Sequence, residues 1–387
     1  MRILHLCLAC FYIDGYNYQE NVLPRISKEN GHDVMIIAST ETYIDNAELG
    51  YIEPREYITE FGVPIKRLPY KHILSDKVSQ KLRKYIGLYE EIEKFRPDII
   101  YSHDISFASV DEVAEYVKNH REVVFLADTH SADYNSGQNW VSLNILHRAF
   151  YKRHILKALP YIKKYYYIGP AERDFSIENY GIPESLMEFL PLGGIIPDEE
   201  DYKRKRGEYR AKLNINDELL LVHSGKLSAE KKTAELLRAF KAAENLNARM
   251  VIIGSIPDET KSEIFELIES DERIEYLGWQ APEYLLGCLC AADLYCQPGS
   301  PSATLQNAIC CGSAIMAQPM EAYRMLDKGN FFWVENEEGI SEVLSSISEN
   351  PKQLEDAKKA SVKCAREFLD YREMERKIVS EGNGHRA

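Results

Sequence analysis

Leu219-Leu-Leu-Val-His-Ser-Gly-Lys-Leu-Ser-Ala-Glu-Lys-Lys-Thr-Ala-Glu-Leu-Leu-Arg-Ala-Phe240 contains one whole unit of the pattern that decides the fold. Leu219 to His223 is a short run without polar alternation, Ser224-Gly225 ends it, and apolar residues then recur at helical spacing from Thr233 to Ala243. A strand that is apolar towards both sides needs cover on both faces, which a parallel sheet flanked by helices provides. The unit repeats downstream. Met250 to Ile253 ends at Gly254 and is followed by a helix from Glu259 to Ser270; Ile274 to Leu277 ends at Gly278, Ala292 to Gln297 at Pro298-Gly299, and Ala314 to Ala317 follows a helix that stops at Gly312.

The same alternation fills the first half of the chain. The runs Arg2 to Cys10, Val34 to Ala38, Ile65 to Leu68, Ile99 to Ser102, Val123 to Ala127 and Tyr165 to Ile168 are mostly separated by helical patterns, the first from Tyr18 to Asn30. Residues 1–190 are therefore expected to form one domain and 210–350 another, since 387 residues exceed what a single core usually holds. The polar stretch 191–209 reads as an irregular linker. A last helix runs from Pro351 past Leu369; 351–387 is expected to pack back towards the first domain, and Glu381-Gly-Asn-Gly-His385 to fray. The expected fold class is α/β, with two Rossmann-like doubly wound domains facing across a cleft at the carboxyl ends of their strands.

Composition bounds the function. With 45% hydrophobic and 28% charged residues the chain is a folded protein, and a formal charge of −14 excludes a general nucleic-acid binder, which needs a basic surface. No stretch approaches the ~18 apolar residues of a membrane span. The apolar start Ile3 to Ile13 runs into Asp14-Gly15 without a small-residue cleavage site, so it reads as a strand and the expected setting is cytoplasmic. The eight cysteines lack disulfide or zinc spacing and read as core; Cys7 and Cys10 are expected on opposite faces of the first strand.

Anionic ligands then need a local site, and two stretches offer one. In Gln297-Pro-Gly-Ser-Pro-Ser-Ala-Thr-Leu-Gln-Asn-Ala-Ile-Cys-Cys-Gly312 a strand ends, Gly299 permits close backbone approach, Ser300 or Ser302 can cap, and Pro301 suits a first helical position. The resulting helix start, Ser300 to Thr304 with Ala303 inside it, presents free N–H groups and hydroxyls to a phosphate; a well-capped core helix is the plain alternative. Lys226 and Lys231 follow the strand Leu219 to His223 and stand at the same sheet edge. Two ammonium groups there would neutralise a diphosphate leaving group without a metal, and the absence of an Asp-x-Asp clamp points the same way.

Together these motifs make the second half resemble the nucleotide-binding domain of GT-B fold glycosyltransferases, and most closely the retaining family four. The family's Gly-Arg-Leu, Lys-Gly and Leu-x-x-Ala-Phe correspond to Gly225-Lys-Leu227, Lys231-Lys232 and Leu236-Leu-Arg-Ala-Phe240, with Lys226 in place of the arginine. Its two glycine turns correspond to Val251-Ile-Ile-Gly254 and Tyr276-Leu-Gly278, so the resemblance puts the base against main chain near Trp279. The family's two glutamates fall on Gly299 and Asn307 here, which passes the ribose to Asn307 and the donor sugar to Ser300, Ser302, Thr304 and main chain. In the first half the resemblance is looser. Asp14-Gly15-Tyr-Asn17 fills the place of the family's glycine loop, with Asn17 and Glu20 spaced as a capping box, and Gly31-His-Asp-Val34 matches Gly-His-Glu-Val. His130 coincides with a histidine that faces the donor sugar.

Asp128-Thr-His-Ser-Ala-Asp133 follows a strand, so Asp128 or Asp133 is a candidate base for an acceptor hydroxyl and His130 a candidate contact for the donor; both aspartates read equally well as turn caps. His103-Asp104 stands at the next strand end. From Tyr134 to Pro170 there is no acid, while cations alternate with aromatics, and Lys77 to Lys84 is a second basic stretch. Such a segment fits an anionic membrane surface or a lipid-linked acceptor, or else a helix with buried aromatics and solvated cations. The function expected is transfer of a sugar from a nucleoside diphosphate to a glycan or lipid-linked acceptor in cell-surface polysaccharide biosynthesis, with no cofactor and no metal. An epimerase of the same fold, a non-catalytic nucleotide-sugar sensor and a solute-binding protein remain as alternatives.

Overall fold

The computed structural model describes residues 1–44, 49–194, 196–302 and 304–383. The chain divides into two compact units, Met1–Leu192 joined by the chain from Tyr371 onward, and Gly193–Asp370.

The first unit is built on an eight-stranded sheet. Its strands are β1 (Arg2–Cys7), β2 (Asp33–Ser39), β5 (Glu56–Ile58), β6 (Pro64–Leu68), β7 (Ile99–Ser102), β8 (Val124–Thr129), β9 (Ile162–Tyr167) and β10 (Met187–Phe189), with β3 (Glu41–Tyr43) and β4 (Leu49–Tyr51) forming a separate hairpin. The order is β10-β9-β8-β7-β1-β2-β6-β5, parallel except for the β5–β6 pair. Alternate residues of the strands supply two cores. Leu4, Leu6, Ile100 and Phe125 face one side, and Ile3, Tyr101, Val124 and Leu126 face the other, where Val22, Leu23 and Ile26 of the helix Gln19–Glu29 meet Tyr371, Met374 and Ile378 of the helix Tyr371–Asn383. Strand order reverses between β1 and β7, and at such a switch point a crevice opens at the carboxyl ends.

The second unit has six parallel strands in the order β13-β12-β11-β14-β15-β16: β11 (Leu219–Lys226), β12 (Ala248–Ser255), β13 (Ile274–Tyr276), β14 (Leu294–Gln297), β15 (Ala314–Ala317) and β16 (Phe331–Trp333). Its switch point lies between β11 and β14. Every strand read from the sequence is found, within three residues at each end; the three-residue strands β3, β4, β5, β10 and β16 were not read.

The departures have local causes. The stretch read as irregular holds the helix Glu199–Lys212, which buries no residue and so shows no apolar period. It is capped by Asp198, laced by ion pairs such as Lys212–Glu208, and anchored through Arg206 and Arg210 to the buried Asp293 at 2.6 and 3.1 Å. Asp293 also takes Lys358 at 2.9 Å and the Leu220 N–H at 3.0 Å, so one carboxylate ties together two helices and β11. The capping box is absent: Tyr18 caps the helix Gln19–Glu29 without a side-chain bond, and Glu20 is buried. Cys7 is the last residue of β1, so the pleat does not extend to Cys10. The last helix is two: Pro351–Cys364, a wider turn over Ala365–Leu369, and then Tyr371–Asn383. Glu381 to Asn383 are helical, and the rest of the expected frayed end, Gly384 and His385, lies outside the described residues.

Asp293→Ala should lower the unfolding free energy by about 3–5 kcal/mol, because it strands three cations that are largely withdrawn from water. Lys203→Ala on the exposed face of the same helix should change it by less than about 0.5 kcal/mol. Urea denaturation of the two variants checks both, and equal effects would show that the helix is held by its surface pairs.

Candidate functional site

At the switch point of the first unit the carboxyl ends of β1, β7 and β8 bring a charged group into the interior. Asp128, the penultimate residue of β8, has no exposed surface. Its Oδ2 accepts from the Tyr101 hydroxyl at 3.0 Å and from the Gln19 amide at 3.1 Å, and its Oδ1 from the Asp104 N–H at 2.7 Å. His103 Nδ1 lies 3.6 Å from Oδ2 and His130 Nε2 3.3 Å from Oδ1. Behind them His103 Nε2 meets His5 Nδ1 at 3.1 Å.

The charges follow from this geometry. Burial alone would push the Asp128 carboxyl up, but His130 and His103 hold it far below the usual carboxylate range. Burial alone would also push the His130 imidazole down; the Asp128 charge, helped by Glu20 and Asp104, overrides this and raises it to about 9. Asp128 and His130 thus form a carboxylate–imidazolium pair, and the His130 side chain keeps 24% of its surface open. His5, buried beside His103, is driven the other way and stays neutral. Asp104 adopts a left-handed φ of 62°, which costs a non-glycine residue roughly 1 kcal/mol. In that pose its carboxylate receives the His130 N–H at 3.2 Å and the Ser131 hydroxyl at 2.9 Å.

The sequence-derived candidates therefore separate. Asp128, His130 and His103-Asp104 come together, but Asp128 is saturated with donors and acts as an anchor, while Asp133 is exposed and joins none of these bonds among the described residues. Gly15, at φ 76°, forms the turn after β1, where Asp14 pairs with Arg67 at 3.2 Å. His5, Gln19 and Tyr101 were missed. The signal for His5 was a lone polar side chain in the run Ile3 to Leu8; it pairs in register with Tyr101. His103, Asp128 and His130 also bring one ligand atom each within 4.8 Å of one another. A cation there would have to displace the donors that Asp128 already accepts.

At the switch point of the second unit backbone contact takes the place of buried charge. Gly225 and Gly254 end β11 and β12 at φ 137° and 138°, and a Cβ on Gly254 would lie 1.8 Å from the Gly225 carbonyl oxygen. A Cβ on Gly299 would lie 2.1 Å from the Glu230 carbonyl oxygen, so only glycine lets the loop after β14 rest on the turn after β11. Ser300 N–H donates to Glu230 O at 2.8 Å, and Lys231 Nζ donates to the Ser300 and Pro301 carbonyls at 2.8 and 2.7 Å. Lys231 is therefore buried, and burial lowers its pKa, whereas Lys226 is exposed. Gln297 and Tyr323 complete the support, with the Gln297 amide donating to the Tyr323 hydroxyl at 2.9 Å.

The helix Thr304–Cys310 starts later than Pro301 implied, and Ser302 is the side chain that caps it, accepting the Thr304 N–H at 3.2 Å. Ala303 lies outside the described residues. Asn307 packs against Gly194, its Oδ1 3.0 Å from where a Cβ there would sit. Trp279 follows the Gly278 turn and is 77% exposed.

Residues 205–363 match the family model described as Glycosyl transferases group 1. Among solved structures, HepE from Anabaena, crystallised with UDP, is 15% identical over 98% of this chain and 99% of its own, with a TM-score of 0.66. A glycosyltransferase from Rickettsia africae is 13% identical over 99% and 98%, also at 0.66. WaaG, a glycosyltransferase involved in lipopolysaccharide biosynthesis, is 14% identical over 97% and 98%, at 0.57. No curated protein sequence matches the chain. The fold is thus the α/β fold of the GT-B glycosyltransferases, and the second unit carries the group 1 match within it.

The His130–Asp128 pair has a pH signature. A folded-state pKa of about 9 against an ordinary histidine value means full stabilisation below pH ~6.5 that fades as pH rises and is gone once His130 deprotonates. The thermal midpoint should fall between neutral pH and pH ~10, and His130→Gln should flatten that fall. Calorimetric scans across this range test it; an identical slope in the variant assigns the fall to other groups.

Proposed function

We propose that the chain is a glycosyltransferase that moves a sugar from a nucleoside diphosphate to a glycan or lipid-linked acceptor in cell-surface polysaccharide assembly, on the cytoplasmic side of a membrane. The observation that carries this is the group 1 match over 205–363, which spans the β11 and β14 ends, where Lys231 after β11 holds the Ser300 and Pro301 carbonyls after β14. Solved neighbours of the same fold were crystallised with UDP and with UDP-glucose, so uridine diphosphate sugars are the first donors to test. All eight cysteines are free, in keeping with a reducing compartment.

In the reaction the bond between the anomeric carbon and phosphate oxygen breaks, the diphosphate leaves with the electron pair, and the acceptor oxygen bonds to carbon while its proton passes to an oxygen of the departing diphosphate. The growing negative charge falls on the diphosphate. Lys226 is the exposed cation placed for it. Lys231, by tying down the Ser300 and Pro301 carbonyls, supports the loop that offers Ser300, Ser302 and Thr304. Asn307 takes the ribose, main chain beside Gly254 and Trp279 takes the base, and the His130 imidazolium contacts the donor sugar. The proposal includes retention of anomeric configuration and independence of metal. A second reading, a nucleotide-sugar binder without turnover, draws on the uncharged Gly299 and Asn307 at the places of the family's two glutamates. Donor consumption in the presence of acceptor separates the two.

Lys226→Ala should weaken nucleoside diphosphate binding about ten- to hundredfold by calorimetry while leaving the fold intact, the loss of one charge-assisted contact. Unchanged affinity removes the diphosphate from this edge. Sugar transfer should persist in EDTA; activity that dies on chelation and returns with magnesium or manganese would refute the metal-free reading.

A further inference from the structure

The acid-free segment of the first unit folds into one continuous helical run from Trp140 to Ala158, widened over Ser142–Tyr151. Its inner face, including His147, Tyr151, Ile155 and Ala158, is buried. Its outer face carries exposed apolar side chains: Trp140 is 70% exposed, Val141 59%, Ile145 53% and Leu156 45%. Among them stand Lys152, half-buried with its Nζ beside Gly181, and the exposed Arg153; no ion pair is formed by either among the described residues. Two of the acids on neighbouring helices are already taken: Asp111 pairs with His154 and Lys157 at 2.9 Å each, and Glu172 accepts the Tyr134 hydroxyl; Glu115 and Glu178, on helices that pack against the run, are exposed. The second basic stretch adjoins this run, because the Tyr151 hydroxyl donates to the Lys81 carbonyl, and it too is flanked by exposed apolar residues, Leu74 at 88% and Ile86 at 54%.

A helix face that is apolar and cationic and itself carries no acid, on a chain of net charge −14, is complementary to an anionic, partly apolar partner. We propose that the outer face of Trp140 to Leu156 docks on an anionic lipid bilayer, with Trp140, Val141, Ile145 and Leu156 entering the headgroup boundary and Lys152 and Arg153 at the lipid phosphates. The helix lies on the membrane; no helix among the described residues is long and apolar enough to cross one. The inference deepens the proposed function by naming the residues that meet the membrane, and rests on it only for the acceptor's location.

Sedimentation with vesicles tests it, using zwitterionic vesicles and vesicles containing phosphatidylglycerol. Wild type should bind the anionic vesicles, lose most binding in high salt, and bind zwitterionic ones at least tenfold more weakly. Trp140→Ser with Ile145→Ser, and separately Lys152→Glu with Arg153→Glu, should each reduce binding about tenfold or more while nucleotide affinity, measured in parallel, stays at the wild-type value. Absence of binding to anionic vesicles, or variants that bind as wild type does, overturns the proposal. Light scattering that shows a dimer broken by the same substitutions, without vesicle binding, gives the face to a second copy instead and overturns it equally. Failure of nucleotide binding in wild type would sink the transferase reading without touching the lipid result.

Discussion

A single carboxylate with no access to water organises the first unit. Charge in such a place is tolerated only when several partners surround it, and Asp128 draws those partners from four elements: Tyr101 and His103 at the end of β7, Gln19 at the start of the first helix, the Asp104 N–H, and its own neighbour His130. His5 extends the chain into β1. The helix start, three strand ends and the strained Asp104 turn are therefore mutually dependent, and the one partly open member is His130. Its positive charge is a property of the whole cluster and would not survive removal of the anion behind it.

The second unit solves the corresponding problem with different physics. Among the described residues its carboxyl-end sheet edge holds no buried carboxylate; Gly254 and Gly299 let backbones touch where a side chain would intrude, and Lys231 directs two hydrogen bonds into the protein. The carboxylate that does organise this unit, Asp293, sits at the start of β14, at the opposite end of that strand from the glycine turns. The buried anchor and the glycine turns thus lie at different ends of one sheet, whereas in the first unit the buried carboxylate sits at the carboxyl ends of the strands themselves.

This difference accounts for what could be read from the sequence. Apolar runs located the central parallel strands, because such a strand is buried on both sides and carries that in its composition; the short strands β3, β4, β5, β10 and β16, of three residues each, carry too little of that signal to be read. The helix Glu199–Lys212 escaped because it buries no residue and is anchored by ion pairs with Asp293, which have no periodicity in one chain segment. The glycines and Ser302 were legible as turn and cap chemistry. The burial of Lys231, the neutrality of His5 and the saturation of Asp128 were not, since each depends on partners tens of residues away, and nothing in Asp128-Thr-His130 itself distinguishes an anchoring carboxylate from a free base.

The helix Tyr371–Asn383 gives the order of assembly an unusual direction. Its Met374 and Ile378 complete the face made by Val22, Leu23 and Ile26, and Glu375 takes the Asn30 amide at 2.8 Å, so the unit of Met1–Leu192 lacks part of its wall until the chain beyond Asp370 has been made. Gly193–Asp370 is synthesised in between, and Met1–Leu192 waits meanwhile with an uncovered apolar surface; translation that stopped short of Tyr371 would leave it open.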